Sequence, residues 1–361
     1  MTLNYITFDI WWDTDATILP QLCKKYKVNI FVENRVKTDK YPQKENYNAK
    51  TFISFKPKHR NRDPRRIHES FQYFKQIRRR CRNSNATNLL ILGSDAPLLL
   101  LLFLFLPKSN TIIATHNYTE HPDSLKNTLS ALCLKLYLTK FSRFLFFSSL
   151  QKEYFLNDHP TKQAHSITMP LKDFGQPTIQ TKKHAPTFLF FGNVRPYKRP
   201  DIFIKAANAI QAGKAKFIIA GRPDPKHHYE TLIKHTADFE LHLRFLQNAE
   251  IPNLFARADF LVLPYDDATQ SGPSLIAINY GIPIIASRLP AFERLISNGS
   301  NGYLFPSGDA HTLAHIFNEI IENGRPYIEH MKAEMNAFKA NYLNHTDILQ
   351  VFDNILTPRT L

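Results

Sequence analysis

Short apolar runs separated by segments of helical periodicity constrain this fold more than any other feature of the chain. Thr187–Phe191, Lys216–Ala220, Phe260–Leu263 and Pro283–Ala286 read as buried strands. Between the first two, Ile202, Phe203, Ala206, Ala207 and Ile210 make one helical stripe. Strands that are apolar throughout need helices on both faces, which is the habit of parallel sheets. The alternation therefore predicts a doubly wound α/β domain. The first half repeats it less cleanly, with candidate strands Tyr5–Asp9, Val28–Val32, Leu89–Leu92, Thr111–Thr115 and Phe144–Ser148. Residues 171–186 between the halves are polar, with Gly175 and Pro177, and read as a linker. The expected division is a domain over 1–170 and a second over 187–340. An amphipathic helix over Asp347–Ile355 follows within a C-terminal segment, 341–361. Two such domains would place a cleft between the carboxyl ends of their sheets, where open α/β sheets bind ligands.

A chain of 361 residues with 43% apolar and 21% charged residues has an ordinary globular mix and the length for about two domains. Cys23, Cys81 and Cys133 form no CxxC pair, which argues against a disulfide framework or structural zinc and for a reducing compartment. The start of the chain has no basic region before Asp9, unlike a signal peptide. Leu98–Leu106 is unbroken and apolar, but Gly93, Ser94, Asp95 and Pro97 interrupt the run before it. A membrane span needs about 20 apolar residues. The stretch reads instead as strand 89–92, a turn and a buried helix capped by Ser94 or Asp95 with Pro97 in its first turn.

Four loops can carry chemistry. In Phe190–Arg199, Gly192 permits a tight turn at the end of a strand, and Arg195 and Lys198 follow above the sheet. Two cations there suit a diphosphate; a solvated basic loop is the competing reading. In Leu263–Gly281, a strand ends at Pro264 and a helix opens near Pro273. The backbone N–H groups of Ser271, Gly272 and Ser274 would then point into the cleft. A helix N-terminus carries roughly half a positive charge and binds phosphate; an ordinary capped helix is the alternative. Thr115–His121 would deliver His116 from the first domain as an acid, base or hydrogen-bond donor, or as a plain surface histidine. His116 and His121 are not spaced as a helical metal pair. Asp9–Asp15 holds both tryptophans of the chain, for sugar stacking or for the core, with Asp13 and Asp15 as candidate acceptor bases or helix caps.

The net charge is +15, and residues 56–82 hold eleven basic residues against Asp63 and Glu69, a net +9. Ile67, Phe71, Phe74 and Cys81 fall at helical spacing, so an apolar face with a basic remainder is expected. Arg65, Arg66, Arg78, Arg79 and Arg80 then form a candidate surface for an anionic membrane or acceptor. Each basic residue near anionic lipid contributes about 1 kcal/mol. Nucleic acid would suit the charge too, but no nucleic-acid motif accompanies it, and none is expected as partner.

Taken in order, these motifs resemble the bacterial family 4 glycosyltransferases. The resemblance is carried by Phe191-Gly192 with Arg195-Pro-Tyr-Lys198, Ile219-Ala-Gly221, Ala258–Pro264 and Ala268-Thr-Gln-Ser-Gly272. Tyr280-Gly-Ile-Pro283 and Glu293 ahead of Asn298–Tyr303 complete it. It spans about residues 186–325. Thr115-His116 with His121, and Phe147-Ser148-Ser149 before Gln151-Lys152, resemble the family's acceptor domain. The resemblance implies a GT-B fold of two Rossmann-like domains facing across a cleft, with the last helix returning to the first domain. It implies retaining, metal-independent transfer from a nucleotide-diphosphate sugar to a polysaccharide or lipid-linked acceptor in cell-surface polysaccharide biosynthesis. The enzyme would sit at the cytoplasmic face of the membrane. No cofactor is expected, the nucleotide sugar being a substrate. Gly192, Arg195, Lys198, Gln270, Ser271 and Gly272 would hold the diphosphate; Asp267, Thr269 and Gln270 would meet the sugar; His116 would steady its charge. The family's Glu-x7-Glu pair is missing: Ala268 and Ile276 occupy its places, as in a subgroup with an Ala-Thr-Gln-Ser-Gly loop. Asp266 or Asp267 is the candidate substitute. A non-catalytic relative that binds nucleotide sugar or glycan, or supports a partner enzyme, is the alternative.

Overall fold

A computed structural model describes residues 1–34, 49–59, 63–82, 86–92, 97–116, 118, 128–179, 185–344 and 348–356. They fall into two compact units. One holds the residues up to Pro170 together with the final helix; the other holds those from Leu171 to Asn344.

The first unit is a parallel sheet of β1 (Thr2–Phe8), β2 (Lys27–Glu33), β3 (Thr51–Phe55), β4 (Thr87–Ile91), β5 (Thr111–Thr115), β6 (Arg143–Phe146) and β7 (Gln163–Ser166). The spatial order is β3-β2-β1-β4-β5-β6-β7. Successive side chains of β1 point to opposite faces. Ile6 and Phe8 enter a core shared with α2 (Pro64–Arg82), α3 (Pro97–Phe103), α4 (Thr128–Lys140) and α5 (Ser149–Asp158). Pro97 opens α3 as expected; Ser94 and Asp95 lie outside the described residues. Tyr5 and Thr7 turn the other way, toward α1 (Trp12–Lys25). Against α1 packs the last helix, α11 (Ile348–Leu356), which buries Ile348, Phe352, Ile355 and Leu356. Asp353 accepts hydrogen bonds from Lys25 and from the Tyr26 hydroxyl, the latter at 2.5 Å.

A row of amides crosses this sheet. Asn29, Asn4 and Asn88 are register partners, and Thr111 is opposite Asn88. The Asn29 amide donates to Asn4 Oδ1 at 2.8 Å, and the Asn4 amide to Asn88 Oδ1 at 2.8 Å. An apolar parallel strand can slip by two residues and keep the same face buried; here a slip would leave buried amides unmet at about 1–3 kcal/mol each.

The second unit contains β8 (Thr187–Phe191), β9 (Lys216–Ala220), β10 (Phe239–His242), β11 (Phe260–Leu263), β12 (Ile284–Ser287) and β13 (Gly302–Phe305), ordered β10-β9-β8-β11-β12-β13. All its pairings are parallel. The predicted stripe Ile202, Phe203, Ala206, Ala207 and Ile210 is buried; all but Ile210 lie on α6 (Pro200–Asn208). After α7 (Ile251–Arg257), α8 (Gly272–Asn279) and α9 (Pro290–Glu293), a long helix α10 (Ala310–Asn344) kinks at Gly324, whose φ is 71°. Pro326, lacking an N–H, opens the second limb.

The basic helix α2 turns differently from the expected stripe. It buries Arg66, Ser70, Tyr73, Phe74, Ile77 and Cys81, and exposes Ile67 and Phe71. Arg66 is therefore not a surface residue. It ion-pairs with buried Glu33 at the end of β2 and lies over the Phe55 ring. The carboxylate draws the guanidinium inward and rotates the helix. Arg65 stays exposed and bonds Asp63. Arg79 and Arg80 are exposed and Arg78 is half-buried.

Candidate functional site

In the second unit the strand order reverses direction between β8 and β11, which makes their carboxyl ends a topological switch point where open α/β sheets bind ligands. The loops after these strands contain the predicted diphosphate residues. Gly192 follows β8 with φ 107°, and Gly221 follows β9 with φ 150°. A methyl group on Gly221 would lie 1.9 Å from the Gly192 carbonyl oxygen, so glycine is required there by close approach as well as by φ.

From Gly192 the chain turns through Arg195 into a single 3₁₀ turn, Pro196–Lys198. Arg195 bonds Asp224 at 3.1 Å and is half-exposed. Lys198 is buried, 7% exposed. Its ammonium lies 5.1 Å from the centre of the Tyr265 ring, and a methyl on Gly192 would stand 2.9 Å from it. No carboxylate among the described residues pairs with Lys198. Burial, with Arg195 nearby, lowers its pKa to about 8.

The same methyl position on Gly192 is 3.4 Å from Pro273 Cγ, which places Lys198 beside the first turn of α8. Ser271 is the N-cap: its hydroxyl accepts from the Ser274 N–H at 3.3 Å. Ser271 and Thr269 are buried, while Asp267, Gln270 and Gly272 are half-buried along the same loop. The predicted residues Gly192, Lys198, Ser271 and Gly272 thus meet at one place, where a buried cation and a helix N-terminus both favour an anion.

Asp266 does not stand in for a missing glutamate. Both its oxygens accept from Arg199 at 3.0 Å, and the Ser307 hydroxyl adds a third bond. Arg199 also grips Asp201, so these carboxylates pin the left-handed turn that opens α6. Ala268 and Ile276 are buried and bring no carboxylate to the loop.

One cation here was not predicted. Lys172, in the segment expected as a linker, has its ammonium 3.3 Å from where a methyl on Gly272 would be. That segment is fastened along α8: the Tyr280 hydroxyl donates to the Gly175 carbonyl at 2.9 Å and accepts from the Phe174 N–H at 3.1 Å. The only sequence signal was a lysine after Pro170.

In the first unit, β5 delivers His116 as expected. Its ring is buried between Trp11 (centroids 3.8 Å apart, 17° between planes) and Phe147 (3.9 Å, 9°). The Trp11 indole N–H donates to the Leu92 carbonyl at 3.0 Å, fixing the stack across the β1–β4 switch point. Trp11 therefore spends one face on His116. Asp15 is not an open base: it is fully buried and accepts from the Tyr5 and Thr7 hydroxyls at 2.5 and 2.8 Å. Being a turn into α1, it faces the β1 side chains instead of the strand ends. The Asp13 side chain and His121 lie outside the described residues. Among the described residues no group of three or more His, Cys, Asp or Glu side chains could hold a metal ion.

Two Rossmann-like units, with a phosphate-suited switch point in the second, define a protein of the GT-B class. The solved structure of Anabaena Alr3699/HepE in complex with UDP shares this fold, with a TM-score of 0.71 at 14% identity, covering 98% of each chain. Residues 185–323 match the family model described as "Glycosyl transferases group 1". D-inositol 3-phosphate glycosyltransferase of Corynebacterium glutamicum (strain R) is 23% identical over 166 residues, 41% of this chain and 40% of that protein. Phosphatidyl-myo-inositol mannosyltransferase of Mycobacterium leprae (strain TN) is 28% identical over 144 residues, 38% of this chain and 37% of that protein. The matched region thus spans about two-fifths of the length of these curated relatives.

Proposed function

We propose that the chain is a glycosyltransferase that uses a nucleoside-diphosphate sugar, held at the switch point of the second unit, and passes the sugar to a polysaccharide or lipid-linked acceptor in cell-surface polysaccharide biosynthesis. The observation that carries this is Lys198: a buried ammonium with no carboxylate partner among the described residues, set beside the N-terminus of α8. An anion bound there would satisfy both. As the bond from sugar C1 to the diphosphate oxygen breaks, its electron pair stays on the diphosphate. The acceptor oxygen bonds C1, and its proton leaves to the diphosphate or to water. Lys198, Arg195 and the N–H groups at Ser271 and Gly272 stabilise the charge that develops, which is electrostatic catalysis. The reading includes retention at C1, no metal requirement, Asp267, Thr269 and Gln270 toward the sugar, and His116 steadying the sugar's charge through its ring edge. It also places the protein peripherally at an anionic membrane on the cytoplasmic side. Ile67 and Phe71 exposed among Arg65, Arg79 and Arg80 support that placement. Among the described residues no helix is long and apolar enough to cross a membrane.

Thermal unfolding with UDP, GDP, ADP and their sugar conjugates, with and without Mg²⁺, tests the donor site. Ligand at 100 times its Kd stabilises the folded state by about 2.7 kcal/mol. One nucleotide is expected to stabilise the wild type without Mg²⁺ and to lose its effect in Lys198→Ala. Absence of any shift overturns the reading. Because Ala268 and Ile276 leave the sugar without the two carboxylates, a binding-only relative is the second reading. Transfer or slow hydrolysis of the stabilising sugar nucleotide excludes it.

A further inference from the structure

The cations named so far do not match the charge of the proposed ligand. A nucleoside diphosphate carries about three negative charges near neutral pH, and its sugar conjugate two. Against these stand Lys198, the half charge or so of the α8 N-terminus, and Arg195, whose guanidinium already shares Asp224. The conjugate is roughly matched; the free diphosphate is left about one charge short. Lys172 is the side chain positioned to supply it. Its ammonium lies against Gly272, the first residue of α8, and Lys198 lies beside Pro273, the second. Glycine at 272 leaves the room this approach needs, since a methyl there would sit 3.3 Å from the Lys172 nitrogen and 3.8 Å from its Cε. The bonds from Tyr280 to Phe174 and Gly175 hold the segment in place only two residues further on.

We propose that Lys172 is a third cation of the donor site, one that binds the diphosphate group and favours the free diphosphate over its sugar conjugate. This rests on the donor-site reading above and adds to it a residue and a selectivity. Lys172 is a specificity-determining residue here: it discriminates by charge between what the enzyme binds and what it releases.

Titration calorimetry on the full chain tests it, with inorganic pyrophosphate, orthophosphate, UDP, GDP and ADP as probes. For whichever nucleotide binds, its glucose conjugate is added. The chains compared are wild type, Lys172→Gln, Lys172→Arg and Lys198→Ala. Lys172→Gln is expected to weaken pyrophosphate and the nucleoside diphosphate about tenfold, the glucose conjugate by less than threefold, and Lys172→Arg to restore most of the loss. Equal affinities in wild type and Lys172→Gln, with binding lost in Lys198→Ala, remove Lys172 from the site and leave the donor reading standing. An equal loss for diphosphate and conjugate overturns the selectivity. A wild type that binds none of the probes, or a Lys198→Ala that binds like wild type, overturns the donor reading itself. Coincident melting curves for the two Lys172 variants confirm that they fold.

Discussion

Lys198 sits where its charge is hardest to keep. Its folded-state pKa is about 8, against an ordinary value of 10.5. Between those values the unfolded chain holds a proton that the folded chain has lost, so stability rises with pH through that window. Below about pH 8 both states are protonated and the full penalty of burying the ammonium applies. Lys198→Met is expected to raise the unfolding free energy at pH 7 by on the order of 3 kcal/mol and to flatten its rise between pH 8 and 10.5, measured by urea unfolding at several pH values. On the proposed donor-site reading the same variant is expected to lose nucleoside-diphosphate binding in titration calorimetry, a trade of stability against function. A bound anion favours the charged form, so wild-type affinity for a nucleoside diphosphate should fall as pH rises above about 8. Lys198 was legible in the sequence because it closes a strand–glycine–cation pattern; Lys172 was not, because its place depends on which way a polar segment folds along α8. Asp15 was misread for a related reason: a carboxylate near a strand end looks available until the hydroxyls of the preceding strand are counted.

Among elements, the seam between β11 and α10 is the one most exposed to a single change. Asp259, fully buried just before β11, accepts from Arg325 at 2.7 Å and Lys332 at 2.8 Å, both beyond the kink at Gly324, and from the Thr187 N–H at 3.1 Å. Asp259→Ala strands two cations and an amide, and is expected to cost about 3–5 kcal/mol in urea unfolding. A loss below 1 kcal/mol would mean that the second limb of α10 is held by packing alone. Legibility also divides by element. The strands read from sequence are interior ones, where burial on both faces writes a continuous apolar run. The four that escaped, β3, β7, β10 and β13, are the edges of the two sheets. Gln163-Ala-His-Ser166 and Phe239-Glu-Leu-His242 have one side free of a neighbour and carry polar residues that erase the run; β13 is buried but opens on Gly302, directly after the turn-forming run Ser297-Asn-Gly-Ser-Asn301. On α2 the expected stripe was half right: Phe74 and Cys81 are buried but Ile67 and Phe71 are exposed, because a buried Arg66–Glu33 pair, unreadable as core, set the rotation of the first turns.

At the scale of the molecule, the first unit is discontinuous: its sheet comes from the first 170 residues and its α11 from the far end of the chain. A chain ending at Asn344 should lose the burial of Ile348, Phe352, Ile355 and Leu356, each worth at most about 1.5–3 kcal/mol. Calorimetry of that truncation should show one lowered transition and one unchanged, the latter belonging to the second unit. A single transition at the wild-type temperature would show α11 to be dispensable. The discontinuity also sets a timetable during synthesis. Domains usually complete in the order in which the ribosome delivers them. Here the half made first must wait with one face of α1 uncovered while the whole of its successor is translated, and the successor can finish earlier. The newborn chain therefore carries an apolar surface until α11 is made, after the whole of the second unit. A chaperone, or a slow stretch of translation ahead of α11, would act on this protein at the amino-terminal unit, for a reason located in a helix made after the second unit.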